Sequence, residues 1–380
     1  MRHRLLTFLR CPTCGGALDV LPSVEEDGEV LEGLLGCDRG HWFPVVRAIP
    51  RMLPDSLEEH WPAVEPQLRS LPAERAASVR RALGERRPRA YDRQTRENFS
   101  LEWGFHEVGD TTWGIDLEER VRTYFVEPIR IPPEDLPGKV LLDAGCGNGS
   151  QSVLYGQLGL EVVAVDLSSG LEHGLAFARS RDPASSERVH FVQGDLVNPP
   201  LADGSVDIIH SAGVLHHTPD TRQTFVRLLR LLRPGGTCYI WLYKHEPGVT
   251  PVVNSIRRVT TRIRPATFAK IARASAAPFQ AFRALVNALR VRSYAPIPRR
   301  EAALALMDIF GAPHAHAHSF PEVAGWYEEA GFSEVWPCND DRRGFGACGR
   351  LPGPDGEESA LVAAQAPPAA LGPRELDIPD

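Results

Sequence analysis

Three glycines at every second position follow an apolar run near the middle of the chain; they are Gly145, Gly147 and Gly149. The run, residues 140–142, reads as a buried strand with Asp143 at its carboxyl end. Glycines there permit a sharp turn and let a ligand approach the backbone, and a helix predicted over 151–159 would point its amino end at that ligand. The dinucleotide pattern G-x-G-x-x-G fails, because Ser150 and Ser152 stand where its third glycine would fall.

This turn resembles the first motif of the class I S-adenosylmethionine-dependent methyltransferases, D-x-G-x-G-x-G. Four further strands follow in that family's order, predicted at 161–165, 190–193, 206–210 and 233–243. The resemblance implies that Asp166 binds both ribose hydroxyls of the cofactor and that Asp195 contacts its adenine amino group. The cofactor-binding residues that it implies are Asp143, Gly145, Cys146, Gly147, Asp166, Leu167, Asp195, Leu196 and Ser211. A nucleotide fold that holds another ligand is the alternative.

The loop after the fourth strand, SAGVLHHTPD, is similar to that of the ubiquinone-biosynthesis methyltransferases. It opens on the carboxyl edge of the sheet, where ligands bind in folds of this class. His216 and His217 are candidate catalytic residues, since imidazole can accept a proton near neutral pH. The alternative is that at least one of them orders the loop around the methionine part of the cofactor.

Four further residues have the types and spacing of metal ligands: Cys11, Cys14, Cys37 and His41. Two short turns from separate hairpins can converge on one tetrahedral zinc ion. The segment resembles the small zinc ribbons that are fused to or partnered with methyltransferases. So small a module has little core of its own, so a structural zinc would supply stability. Otherwise these are four unrelated buried residues, or a site that has lost its metal.

The resemblance implies an α/β fold, a Rossmann-like seven-stranded sheet with helices on both faces, extended by the ribbon and a helical insert. At 380 residues the chain exceeds one typical domain. We predict a zinc-ribbon-like domain at 1–53, a helical linker and lid at 54–136, the methyltransferase domain at 137–350 and a disordered tail at 351–380. The predicted lid is rich in aromatic residues, which either line an acceptor pocket or pack a helical cap: Tyr91, Phe99, Trp103, Phe105 and Trp113.

Residues 247–319 form an insert between the fifth strand and the last helix. No Asp or Glu occurs between Pro247 and Arg300, whereas Arg257, Arg258 and Arg262 begin a series of basic residues beside apolar ones at helical spacing. We predict two or three amphipathic basic helices. They either pair with the acidic remainder of the protein or bind phosphate, a carboxylated acceptor, an acidic carrier protein or a membrane surface. In the first alternative they form a cap; in the second, their arginines stand at the rim of the acceptor site. His314, His316 and His318 are expected in a plain loop.

The predicted function is methyl transfer from S-adenosylmethionine to an O, N or C atom of a small-molecule acceptor. An RNA base methyltransferase that uses the ribbon and the basic insert is the alternative, opposed by a net charge of -7 and by only three lysines. A non-catalytic cofactor-binding protein is a third hypothesis. Without a long apolar run or a signal-peptide core, we expect a cytoplasmic protein whose seven cysteines are thiols or metal ligands.

Overall fold

The computed structural model describes residues 1–83, 90–104, 111–112, 115–289, 297–341 and 343–353, without the side chains of residues 90–92 and 111–112. A single 3-10 turn, His3–Thr7, precedes an antiparallel four-stranded sheet. The strands of this sheet are β1 (Asp19–Glu26), β2 (Glu29–Gly36), β3 (Trp42–Val46) and β4 (Ile49–Pro50). All five residues of β3 are buried, so this small sheet packs against other parts of the chain on both faces.

A helical segment leads from this sheet to the main one. Its helices are α1 (Ser56–Glu59), α2 (Trp61–Val64), α3 (Ala73–Ala82), α4 (Ala90–Trp103), α5 (Leu117–Val121) and α6 (Glu127–Ile129). A two-stranded hairpin, β5 (Thr111–Thr112) and β6 (Ile115–Asp116), separates α4 from α5. Asp116 caps α5 by accepting hydrogen bonds from the backbone N–H groups of Glu118 and Glu119, so the start of this helix is fixed by its own sequence.

Five strands and four helices of the main sheet region follow. They are β7 (Val140–Ala144), α7 (Ser150–Gln157), β8 (Glu161–Asp166), α8 (Leu171–Arg181), α9 (Pro183–Ser186), β9 (Val189–Gln193), β10 (Val206–Ala212), α10 (Thr221–Leu229) and β11 (Leu232–Tyr243). Every residue of β7 and β9 is buried, as expected for parallel strands that are covered on both faces.

The chain ends its described part with α14 (Phe320–Glu329), β12 (Glu334–Cys338) and β13 (Gly344–Arg350). Ser319 and Glu322 form a capping box at the start of α14. The main sheet has the order β12-β13-β11-β10-β7-β8-β9. β13 is antiparallel to both of its neighbours, whereas β7–β11 pair in parallel. The predicted seven-stranded α/β sheet is confirmed, with each strand boundary within two residues of its predicted place.

The amino-terminal sheet docks on one edge of the main sheet. Arg51 pairs with Gln193 of β9 as a parallel bridge, and the backbone N–H of Met52 donates to the Gln193 carbonyl at 2.7 Å. A second junction joins Leu9 and Leu201 as an antiparallel bridge. Buried side chains of the two sheets belong to one apolar cluster, so the ribbon-like segment has no separate core. The three boundaries between the four predicted segments stay predictions.

The insert consists of three helices, α11 (Val249–Thr260), α12 (Pro265–Ala288) and α13 (Arg299–Gly311). The expectation that its arginines stand at the rim is wrong for Arg257, which is 8% exposed. Its guanidinium donates to the Ile309 carbonyl at 2.6 and 3.1 Å and to Asn254 Oδ1 at 2.9 Å. Arg257 therefore joins α11 to the end of α13, because a buried guanidinium needs acceptors that the carbonyls of a helix end supply.

At the carboxyl terminus, the first residues of the predicted tail, 351–353, lie within the described part of the chain. Leu351 is buried and its backbone N–H donates to the Gly236 carbonyl at 2.9 Å. Residues 354–380 lie outside the described part of the chain. No helix among the described residues has the length and apolar character required to cross a bilayer.

Candidate active site

The glycine-rich turn lies where β7 ends and α7 begins. Gly145, Gly147 and Gly149 have φ angles of +83°, +61° and +72°, which L-residues with side chains rarely adopt. A Cβ atom on Gly145 would lie 2.4 Å from the side chain of Val214, and one on Gly147 would lie 2.3 Å from the indole of Trp103. Glycine is thus required here for both backbone conformation and space, as the sequence pattern predicted.

Asp166, at the end of β8, lies next to this turn. Its two carboxylate oxygens accept from the backbone N–H groups of Gly147 at 2.8 Å and Ser168 at 2.7 Å. Burial raises the pKa of Asp166, although these hydrogen bonds act in the opposite direction. Since each oxygen has a second lone pair, the carboxylate can still accept from a ligand hydroxyl.

Asp143 and Ser211, two other predicted cofactor residues, are buried and form hydrogen bonds next to the turn. Asp143 is buried and accepts from the Ser152 hydroxyl at 2.6 Å, which holds the first turn of α7 against β7. The Ser211 hydroxyl donates to the Ala144 carbonyl at 2.9 Å. Cys146 is buried within the turn. These residues therefore fix the backbone on which a ligand would lie.

Leu167 and Asp195 line a small cavity of about 20 Å³ beside Asp166. The sequence missed the other wall, which comes from the exit of the ribbon and from α4: Leu53, Pro54, Asp55, Arg93 and Arg96. Arg96 lies 3.2 Å from an oxygen of Asp55 and 2.7 Å from one of Glu59, which joins α4 to α1. Leu196 is buried next to Asp195. A larger cavity, of about 540 Å³, lies between α11 and residues 315–317, away from the turn; the motif residues, and not cavity size, assign the cofactor site.

His217 is held between two acceptors. Its Nδ1 lies 2.7 Å from the His314 carbonyl oxygen and must donate to it, while Nε2 lies 3.2 Å from Asp308 Oδ1 of α13. This second contact is close but not aligned as a hydrogen bond, and it becomes an ion pair only when the imidazole carries a second proton. Burial alone would raise the pKa of Asp308, but the interaction with His217 lowers it below its usual range. Asp308 was not predicted, because it lies 91 positions from His217 in the sequence.

His216 has a different environment. It is fully buried and stacks on the ring of Tyr243, with 3.9 Å between the ring centroids. Burial holds the pKa of His216 well below its usual range, and the neighbouring His217 adds to this effect. Nδ1 accepts from the Tyr243 backbone N–H at 3.4 Å, so the proton of the neutral ring lies on Nε2, which has no partner among the described residues. His216 is thus set to donate a hydrogen bond.

Helix α4 covers the turn and brings polar groups that the sequence did not point to. Thr95, Asn98 and Glu102 are 9%, 0% and 2% exposed, and each has a side-chain polar atom without a partner in the described part of the chain. Burial raises the pKa of Glu102 well above its usual range, and the negative charges of Asp308 and Asp166 raise it further. This environment favours the protonated form of Glu102, which lies near both Asp166 and Asp308.

The aromatic residues of the predicted lid contribute two contacts to this site. Trp103 packs on Gly147, as described above, and the ring of Phe99 lies edge-on to His217 with 5.2 Å between the centroids. The side chain of Tyr91 and all of Phe105 and Trp113 lie outside the described residues. The histidines after α13 pack near the loop of His216 and His217: the His316 N–H donates to the His216 carbonyl at 2.9 Å, and His318 pairs with Glu322.

The four predicted metal ligands converge in the ribbon. Their ligand atoms all lie within 4.8 Å of one another. Cys14 Sγ is 3.8 Å from Cys37 Sγ, and His41 Nδ1 is 3.3 Å from Cys37 Sγ and 3.4 Å from Cys11 Sγ. Tetrahedral zinc with bonds of about 2.3 Å to sulfur and about 2.0 Å to nitrogen separates its ligands by roughly 3.5–3.8 Å. The donor set and spacing fit zinc.

Comparison with known proteins identifies the central part of the chain. Residues 142–240 match a family described as "Methyltransferase domain". The malonyl-[acyl-carrier protein] O-methyltransferase of Serratia marcescens is 39% identical over 100 residues, 26% of this chain and 36% of that protein. The demethylmenaquinone methyltransferase of Renibacterium salmoninarum is 28% identical over 155 residues, 41% of this chain and 60% of that protein. The chain thus spans between about one third and three fifths of these two relatives.

Among solved structures, the magnesium protoporphyrin IX methyltransferase of Synechocystis with bound S-adenosylhomocysteine is similar at 15% identity. The TM-score is 0.43, over 68% of this chain and 99% of that one, which is too low to support an argument. The matched family, the glycine turn and the strand order are sufficient without it. Residues 142–240 of this chain therefore belong to a methyltransferase domain of the class I S-adenosylmethionine-dependent type.

Proposed function

We propose that the protein transfers a methyl group from S-adenosylmethionine to an O, N or C atom of a small-molecule acceptor, in the cytoplasm. The observation that supports this most is the meeting of three features at one sheet edge. The glycine turn, Asp166 and the His216–His217 loop follow β7, β8 and β10, and the carboxyl ends of parallel strands share an edge. Both relatives named above are methyltransferases that, by their names, act on a carrier-bound acid and on a quinone.

Residues of this chain are suited to hold the cofactor. At Gly145 and Gly147 the side chains of Val214 and Trp103 lie where a Cβ would stand, so a ligand that lies against this backbone requires those two side chains to shift. Asp166 would bind ribose hydroxyls, and Asp195 with Leu167 and Leu196 would surround the adenine. The bound cofactor supplies a methyl group that is already electrophilic. The protein's main task is then to orient the acceptor and exclude water, which contributes at most about 7 to 11 kcal/mol.

In this proposal the two histidines have separate roles. Neutral His217 takes the proton of the acceptor at Nε2, because its Nδ1–H donates to the His314 carbonyl, and the nearby Asp308 carboxylate then stabilises the imidazolium that forms. His216 positions the loop and offers its Nε2–H to the acceptor or to the methionine part of the cofactor. Glu102, whose raised pKa favours the protonated form, adds a second hydrogen-bonding group from α4. A zinc ion held by the four ribbon ligands has a structural role, because all four positions around it are occupied by protein atoms.

The RNA alternative finds little support in the charges of the ribbon. Arg2 pairs with Glu187 at 3.1 Å and Arg4 with Glu161 at 2.7 Å, so these basic residues already have acidic partners. Nucleic-acid binding depends on basic groups that face phosphate. The hypothesis of a cofactor-binding protein without activity is separated from methyl transfer by the experiment below.

The first prediction concerns Asp166. Purified protein is incubated with methyl-labelled S-adenosylmethionine and a cell extract, and label is counted in RNA, protein, lipid and small-molecule fractions. We expect label in lipids or small molecules. Asp166→Ala should weaken cofactor binding in calorimetry by about 1.5–3 kcal/mol, since charge-assisted hydrogen bonds to the ribose are lost.

Asp203→Ala is the matched control, because Asp203 is an exposed aspartate whose only contact described is with Arg230. Unchanged affinity in the Asp166 variant would contradict the assigned cofactor site. Normal affinity with no label in any fraction would favour the non-catalytic hypothesis, and label in RNA would favour the alternative acceptor.

A further inference from the structure

The insert carries most of the large apolar side chains that the protein exposes. Nine such side chains are exposed among the described residues, and seven of them fall between residues 252 and 289. These seven are Val252, Ile256, Val259, Ile271, Phe282, Leu285 and Leu289. Val259 is 63% exposed and Leu289 64%. Single exposed apolar residues are ordinary, but their concentration in one segment marks a surface that binds something.

The apolar residues of α11 form a stripe on the side that faces solvent. Val252, Ile256 and Val259 are four and three positions apart, which places them on one face of a helix. Another face is fixed to the protein by Arg257 through its hydrogen bonds to the Ile309 carbonyl. The stripe therefore cannot be buried by rotation of α11 without breaking this attachment.

Exposed basic residues accompany the stripe. Arg258, Arg262, Arg264 and Lys270 are exposed, and none of the four forms an ion pair with any residue in the described ranges. Because residues 247–300 contain no acidic side chain, the charge of this surface is positive although the chain has a net charge of -7. The carboxyl-terminal part of α12 continues the apolar character, with Phe282, Leu285 and Leu289 three and four positions apart.

We propose that α11 and the carboxyl-terminal part of α12 form a surface that binds an anionic lipid bilayer, with the apolar stripe in the interface and the basic residues at the level of the phosphates. An amphipathic helix with arginines beside its apolar face binds in this way. A second copy of the chain would bury the apolar residues but would bring two sets of unpaired cations together. RNA would use the cations and leave the apolar residues exposed. Of these three partners, only an anionic bilayer matches both the apolar stripe and the exposed cations.

The proposal is independent of methyl transfer and is tested on the full chain by flotation with vesicles. Vesicles of phosphatidylcholine alone are compared with vesicles that contain phosphatidylglycerol. We expect at least tenfold stronger binding to the anionic vesicles, reduced by added salt. The variant Val252→Ser, Ile256→Ser, Val259→Ser and the variant Arg258→Gln, Arg262→Gln, Lys270→Gln should each bind at least tenfold more weakly, since each cation contributes roughly a fivefold factor near such a surface.

The control variants change the same residue types elsewhere. Val24→Ser with Val226→Ser removes the two other exposed apolar side chains, and Arg80→Gln with Arg81→Gln removes a pair of exposed arginines from α3. Both should bind as the parent does. Equal binding to the two vesicle types, equal loss in the controls, or a concentration-dependent dimer in light scattering that the serine variant abolishes would each overturn the proposal.

Discussion

Glu102 is the residue whose environment departs most from what its type prefers. Its carboxyl group is buried with one oxygen unpartnered, and Asp166 and Asp308 lie close enough to raise its pKa. Such a place favours the protonated form of a carboxyl group, since ionisation would add a third negative charge to a buried site. The presence of this carboxyl group favours a binding role, because a buried polar group without a hydrogen-bond partner destabilises the fold unless a ligand supplies that partner.

The second prediction follows from this environment and concerns stability against pH. Folded Glu102 keeps its proton at a higher pH than it does in the unfolded chain, so this residue lowers the free energy of unfolding as pH rises above about 4.5. Glu102→Gln removes that penalty. We expect its melting temperature to exceed that of the parent at pH 8 by a few degrees, at about 2–4 °C per kcal/mol, and to match it near pH 4.

Calorimetric scans at several pH values measure this difference. Glu97→Gln, on the exposed face of the same helix, should show no pH-dependent gain. A variant of Glu102 that is less stable than the parent at pH 8 would show that the carboxylate is ionised and paired in the native protein.

At the scale of single elements, the insert shows how much depends on which face of a helix packs. Arg257 and Arg258 are adjacent and equally basic in sequence, but the first is buried between α11 and α13 and the second is exposed.

The third prediction is that Arg257→Gln lowers the free energy of unfolding by about 2–3 kcal/mol, because the Ile309 carbonyl loses its charged donor. Arg262→Gln should change it by less than about 0.5 kcal/mol. Chemical denaturation of both variants compares them; equal losses would mean that Arg257 has no special structural role.

Sequence reasoning predicted the elements whose signals are local. The glycine turn and the apolar runs of β7, β8 and β9 each lie within a dozen residues, and all were placed correctly within two residues. The missed parts of the site, Glu102 and Asp308, depend on how α4 and α13 cross the sheet edge. Neither residue has a neighbour in sequence that indicates burial beside a histidine. Packing between distant parts of the chain places these two residues in the site, and a periodic sequence pattern carries no information about such packing.

Across the whole molecule, the ribbon and the sheet are coupled. They share one apolar cluster, and the exit of the ribbon, residues 53–55, forms a wall of the small cavity beside Asp195, which is the proposed adenine site. The fourth prediction is that the protein contains about one zinc per chain and that Cys11→Ser loses it. Since metal binding contributes directly to the stability of such modules, the variant should also bind S-adenosylmethionine more weakly, by about 1 kcal/mol or more.

Elemental analysis and calorimetry make these two measurements, with Cys338→Ser as the control because this half-buried cysteine lies outside the metal cluster. Zinc-free parent protein, prepared without chelators, would contradict the metal site. A variant that loses zinc but keeps the parent's cofactor affinity would show that the ribbon folds independently of the site.

The bridge between Arg51 and Gln193 has a consequence for how the protein behaves among its own copies. β9 is an edge strand of the main sheet, so without the ribbon its outer side would present unpaired backbone N–H and C=O groups. Such an edge is a template on which strands of other chains can add. The ribbon covers it, and the hydrogen bond from Met52 to the Gln193 carbonyl occupies one of its acceptors. By covering this edge, the amino-terminal segment protects the protein against edge-to-edge aggregation, in addition to lining the small cavity beside Asp195.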